Sequence, residues 1–252
     1  MLLEKWYADV VDPNGADIFY RANLKLGPAV IGYRGHIGSG GRVRSTIVPG
    51  GVELPRELDG AVVGPASGAE DGQALRWSDS RSREIELWRD DRQLLTWNPM
   101  VLNGAVSGLR RLPEARGYVE KLTLNFGPWR LGLQRLKWGR FCGQRHSLVW
   151  IEWEGRIAKQ IALLDGQAIP LHAASRERID CAGPSLHLTE RRALVEEPMS
   201  DGALRGLRLP RRLAALQFFR GLETKWIAVG ALELGGEAAD AGHVIFEEVV
   251  WS

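Results

Sequence analysis

Residues 117–155 read GYVEKLTLNFGPWRLGLQRLKWGRFCGQRHSLVWIEWEG. Three runs within this stretch, Tyr118 to Leu124, Leu136 to Phe141 and Leu148 to Trp153, carry the period of two that belongs to a β-strand, in which successive side chains point to opposite faces. In the first, Tyr118, Glu120, Leu122 and Leu124 share a face while Lys121 and Thr123 take the other. In the second, Leu136, Trp138 and Arg140 fall together. A carboxyl and a guanidinium are thereby placed with apolar sets, and the chain between them is built from strands.

Working outward, the same pattern recurs at Arg42 to Val48, Arg83 to Arg89, Trp226 to Leu234 and His243 to Trp251, all short and rich in Val, Ile, Leu and Trp. Pairs that tolerate positive φ separate such runs: Asn14-Gly15, Asp59-Gly60, Asp71-Gly72, Asn103-Gly104, Asp165-Gly166 and Asp201-Gly202 are each hairpin or loop candidates. One short helix is expected over Pro210 to Arg220, with Pro in the first turn, Leu213, Leu216 and Phe219 on one side and Gly221 to end it. Many short strands with Gly-rich turns predict an all-β fold, antiparallel barrel or sandwich. An echo between SLVWIEWEG (147–155) and HVIFEEVVW (243–251) suggests two packed modules, 1–125 and 126–252.

Composition narrows the function. The chain has 252 residues, 44% hydrophobic and 25% charged, which suits a folded core and excludes a disordered chain. With 33 basic against 31 acidic residues the net charge is +2, without the basic excess of a general nucleic-acid binder. No apolar run reaches the ~18 residues of a membrane-spanning helix. The opening MLLEKWYADVVD turns acidic early and does not read as an export signal, so the expectation is a cytoplasmic protein with two free, buried thiols at Cys142 and Cys181. The five histidines show no HxH or HExxH spacing, and GHIGSGG at 35–41 has neither a P-loop lysine nor the GxGxxG spacing. No metal and no cofactor are expected, and no GxSxG elbow points to covalent catalysis.

The candidate site residues come from the charges and from the tryptophans. Glu120 and Arg140 admit two readings: an ion pair ordering a barrel wall, or a carboxyl acid or base tuned by a guanidinium in an aromatic-lined cavity. Glu152, Glu247 and Glu248 are weaker intrusions of the same kind, with strand edges as the alternative. Of ten tryptophans, seven (Trp77, Trp88, Trp97, Trp129, Trp138, Trp150 and Trp153) lie between residues 77 and 153. Such rings fill a core, but a cavity lined by Trp88, Trp97, Trp138 and Trp150 would also hold a flat or polyene-like apolar molecule and face a developing cation.

Residues 117–155, the tail GLETKWIAVGALELGG (221–236) with GHVIFEEVVW (242–251), and the opening EKWYADVVDPNG (4–15) resemble bacterial lipocalin-like proteins related to carotenoid 1,2-hydratase and the AttH-like group. The resemblance covers about a third of the chain. It implies two lipocalin-like β-modules and an activity on hydrophobic isoprenoids, either hydration or cyclisation; related fungal proteins steer cycloadditions. The group's YHDHNWG-like central segment is matched by Tyr118 and by Trp138-Gly139, while its His, Asp and Asn are missing and Glu120 is the nearest acidic substitute. The resulting expectation is an enzyme, a hydratase (lyase) or cyclase, that uses Glu120 and Arg140 on an isoprenoid or polyketide-like substrate held by Tyr118, Trp138, Trp88, Trp97 and Trp150. A noncatalytic carrier of an apolar small molecule and a pericyclase acting by shape alone stay open beside it.

Overall fold

The computed structural model describes residues 1–13, 15–64, 74–81, 83–108, 115–199 and 220–251. Contacts divide the chain into two units, the first running from Met1 to Arg130 and the second beginning at Leu131. Both are all-β, as the alternation predicts. The only helical turn among the described elements is Pro128–Leu131. The helix expected over 210–220 lies outside the described residues apart from Arg220, as do the pairs at 71–72 and 201–202 and Asn14.

The first unit contains β1 (Leu2–Asp12), β2 (Gly15–Leu26), β3 (Ala29–Ile37), β4 (Val43–Pro49), β5 (Arg56–Leu58), β6 (Ala61–Gly64), β7 (Leu75–Trp77), β8 (Ile85–Asp90), β9 (Gln93–Ser107) and β10 (Arg116–Leu124). Its sheet runs β4-β3-β2-β1-β10-β9-β7-β6-β5, with β8 pairing β9. The second contains β11 (Leu133–Gly143), β12 (Ser147–Gly155), β13 (Lys159–Leu164), β14 (Gln167–Ile169), β15 (Leu171–Ala174), β16 (Arg178–Cys181), β17 (Pro184–Pro198), β18 (Leu222–Leu234) and β19 (Asp240–Val250). Its order is β14-β13-β12-β11-β19-β18-β17-β16-β15. Each unit is therefore an antiparallel meander whose first strand pairs with its last. The two sheets share one plan, which the echo between 147–155 and 243–251 only hinted at.

Local chemistry explains the turns. Asp59-Gly60 and Asp165-Gly166 close two-residue hairpins with φ of 50° and 66°, and 50° and 81°, the positive pair that a tight turn matched to strand twist demands. Asn103-Gly104, expected as a turn, instead lies inside β9. Glycine is required there because a Cβ would collide with the Ser78 backbone, so the position serves close approach rather than reversal.

The core of the first unit gathers Trp6, Ala8, Val10, Phe19, Trp77 and Val119 with their neighbours. That of the second gathers Phe141, Leu148, Trp150, Trp226 and Phe246 with theirs. In both units the central strands are buried on the opposite face too: Tyr7, Asp9 and Tyr118 in the first, and Trp138, Arg140 and Lys225 in the second, are all at most 5% exposed. These second buried faces hold Asp9 in the first unit and Arg140 and Lys225 in the second.

Candidate functional site

The middle of β10 faces a deformed partner. From Gly117 opposite Gly104, the pairing jumps to Val119 opposite Val101 and then to Glu120 opposite Pro99, so β9 carries two extra residues over this span. Such bulges re-aim side chains and concentrate beside functional sites. Here they turn both Met100 and Val101, adjacent in sequence, into the core. They also accommodate Pro99, which has no N–H to give a ladder. Tyr118 is left without a paired residue on β9, and Asp9 Oδ1 on β1 accepts its backbone N–H at 3.1 Å.

On the face opposite the core, the pairing of Tyr7 with Glu120 and of Asp9 with Tyr118 assembles a polar cluster. Tyr7 Oη donates to Asp9 Oδ2 at 2.9 Å. Tyr118 Oη donates to Glu120 Oε2 at 2.7 Å, and Trp97 Nε1 donates to the same oxygen at 2.6 Å. The Tyr7 ring lies 5.5 Å from that of Tyr20 and 6.1 Å from that of Tyr118. From the core side, Trp77 Nε1 donates to the Asp9 carbonyl at 2.8 Å.

Burial pushes the Tyr118 hydroxyl well above the usual phenol range, and the neighbouring Glu120 charge pushes it further. It therefore stays protonated and donates at any physiological pH. An indole N–H is a donor only. Two donors thus converge on Oε2 of a half-buried carboxyl group.

Of the residues singled out in the sequence, the structure brings together Glu120, Tyr118 and Trp97. Trp88 is elsewhere in the first unit, edge-on to Phe126 at 4.8 Å. Arg140, Trp138 and Trp150 belong to the second unit. Arg140 is fully buried and shares a face of β11 with Trp138. Trp150 takes the opposite face, in the core, where its indole lies over Gly139. Of the weaker acidic candidates, Glu152 pairs with Lys137 at 2.7 Å and Glu248 with Arg176 at 2.8 Å.

Sequence reasoning missed Asp9, Tyr7 and Lys225. The Lys225 ammonium is fully buried, ion-paired with Glu247, 3.5 Å from Glu223 and 6.0 Å from the centre of the Trp138 ring. Alternation in WYADV (6–10) would have grouped Tyr7 with Asp9, and a lysine between Glu223 and the apolar run 226–229 was the signal for Lys225.

The interior of the first unit retains a cavity of about 20 Å³ bordered by Trp6, Phe19, Arg21, Leu75 and Trp77. That is room for about one water, far below the ~300 Å³ at which small-molecule pockets begin. Glu120 points away from it, because Val119 occupies the core face. Among the described residues no three His, Cys, Asp or Glu side chains converge as a metal-ligand set. Both cysteines are free and buried, as expected. No helix of the described residues is long and apolar enough to cross a membrane.

No family model matches the chain, and no curated protein matches it in sequence. Solved structures do match in fold. CghA in complex with Sch210972 superposes with a TM-score of 0.57 at 12% identity, over 100% of this chain and 89% of CghA. Kievitone hydratase from Nectria haematococca superposes with a TM-score of 0.50 at 7% identity, over 98% of this chain and 88% of the hydratase. The chain therefore has the lipocalin-like barrel fold of these proteins.

Proposed function

We propose that this chain is a cytoplasmic enzyme that binds an apolar, isoprenoid- or polyketide-like small molecule and promotes its acid-assisted hydration or cyclisation. The observation that carries the reading is the convergence of Trp97 Nε1–H and Tyr118 Oη–H on Glu120 Oε2. Protonation of an alkene leaves a carboxylate behind, and two pre-aimed donors stabilise that carboxylate as it forms. Oε2 keeps its hydrogen bonds from Trp97 and Tyr118 as the charge forms. The same donors reduce the protonated fraction at rest, so the gain in acid strength is offset by fewer loaded molecules.

The fold is shared with a hydratase and with a protein crystallised with a small molecule, which supports a reading as a small-molecule enzyme.

The experiment is to identify by mass spectrometry the small molecule that copurifies with the chain and to follow its turnover by the parent and by Glu120→Gln. The variant keeps an oxygen that accepts from Trp97 and Tyr118 but has no proton to give. A drop of about 10²–10⁴ in kcat is expected, the usual contribution of general acid–base catalysis. An undiminished rate would refute the acid assignment, and binding without turnover by the parent would make the chain a carrier.

A further inference from the structure

Tyr118 aims its hydroxyl at Glu120 from a residue that the β9 bulge leaves without a partner on that strand, the pairing passing from Gly117 directly to Val119. A carboxylate holds its backbone instead. Asp9 is fully buried, and its Oδ1 accepts the Tyr118 N–H at 3.1 Å while its Oδ2 accepts the Tyr7 hydroxyl at 2.9 Å. Hydrogen bonds to a charged acceptor are stronger than neutral ones, so this hold is firmer than the ladder bond it stands beside.

Asp9 is itself fixed from several sides. Its backbone pairs with Ile18 on β2 and with Tyr118 on β10. From the core side its carbonyl accepts Trp77 Nε1–H at 2.8 Å, a contact that Gly117 keeps open, because a Cβ there would collide with both the carbonyl and the indole. Tyr7, which orients Oδ2, lies opposite Glu120 in the β1–β10 register and packs its ring 6.1 Å from that of Tyr118. The packed core thus reaches Glu120 through Trp77, Asp9 and Tyr118 in turn.

We propose that Asp9 is a positioning residue for the Glu120 site: it sets the place of Tyr118 on β10 and so the aim of the Tyr118 hydroxyl at Glu120 Oε2, a role that rests on the acid function proposed for Glu120. Two substitutions separate geometry from charge. Asp9→Asn keeps an oxygen for the Tyr118 N–H, and its amide can donate to the Tyr7 hydroxyl, which also accepts. Asp9→Leu roughly keeps the size and loses both acceptors.

The test begins without ligand, on the full chain labelled with ¹³Cζ tyrosine. Four tyrosines give four signals, each assigned by its Phe variant. Glu120→Gln calibrates how far the Tyr118 signal moves when its acceptor changes. Asp9→Leu should move that signal at least as far and Asp9→Asn much less, with Tyr33, on β3, unmoved. Turnover of the molecule recovered by mass spectrometry is the second readout. Asp9→Leu should lower kcat about 10–100-fold with little change in KM, as a displaced catalytic group does. Asp9→Asn should restore kcat to within a few-fold of the parent, and in a Tyr118→Phe background Asp9→Leu should lower it hardly further. A merely structural role would lower both backgrounds alike. A parent-like Tyr118 signal or full turnover in Asp9→Leu, an Asp9→Asn variant as impaired as Asp9→Leu, or equal losses in both backgrounds would each overturn the proposal. Undiminished turnover by Glu120→Gln would overturn the acid function alone, and the NMR shifts would still decide whether Asp9 holds Tyr118. Should Asp9→Leu fail to fold, Tyr7→Phe deletes only the donor to Oδ2 and should move the Tyr118 signal in the same direction; a parent-like signal there would overturn the proposal as well.

Discussion

Replacing Tyr118 by Phe removes one oxygen from a fully buried ring and, with it, the 2.7 Å hydrogen bond to Glu120 Oε2. The ring stays, so no cavity larger than a hydroxyl opens. Hydrogen bonds to charged groups contribute about 1.5–3 kcal/mol, and that is the expected loss of stability near neutral pH. The loss should shrink at alkaline pH. In the parent, the hydroxyl is held above its ordinary value of 10.0 by burial and by the Glu120 charge. Above that pH the unfolded chain gives up the proton while the folded chain keeps it. The unfolded state then binds fewer protons, and stability falls as pH rises. The contribution is fully present below pH ~10 and amounts to a loss of about 1.4 kcal/mol by pH ~11. Tyr118→Phe has no such proton, so its deficit relative to the parent should narrow by about 1.4 kcal/mol between pH ~9 and ~11. Urea unfolding followed by tryptophan fluorescence at several pH values measures this directly. A deficit that stays constant across that range, or no deficit at neutral pH, would refute the reasoning about the buried pair.

Two further outcomes follow from packing and burial in the second unit. Gly139→Ala would drive a methyl into the Trp150 indole and Phe246 Cβ and should cost at least about 1–3 kcal/mol, read as a lowered thermal midpoint; an unchanged midpoint would mean the indole can move aside. Burial pushes the Cys181 thiol up to about 11, helped by Asp180, so at pH ~8 neither it nor buried Cys142 should react with a disulfide reagent until the chain unfolds. Rapid reaction of the folded chain would contradict that placement.

Alternation is a property of the strand backbone itself, so the shared face of Tyr118 and Glu120 could be read from seven residues, and the strand runs around them were equally legible. What completes the site comes from pairing over distance. Trp97 reaches Glu120 across 23 residues, and Asp9 reaches the Tyr118 amide across 109. No local period encodes either contact. The two extra residues of β9 that set Glu120 opposite Pro99 were likewise invisible, because a bulge is defined only against its partner.

Asn103-Gly104 shows the opposite failure: the pair has strong turn chemistry, yet the approach of the Ser78 backbone decides its role. Trp150 and Trp138 were grouped as rings of one cavity, but they occupy opposite faces of the second sheet, since neighbouring strands fix which parity points inward. The shared strand order of the two units left almost no trace in residue identity, because a meander needs only alternation and turns.

The central claim is that Glu120 delivers a proton to carbon, and the product made in D₂O tests it most directly. Turnover of the copurified ligand by the parent should place one non-exchangeable deuteron on a product carbon, raising its mass by about one unit, and Glu120→Gln should lose that labelled product. A product formed at full rate with no deuteron on carbon would contradict the account and leave a reaction directed by shape alone.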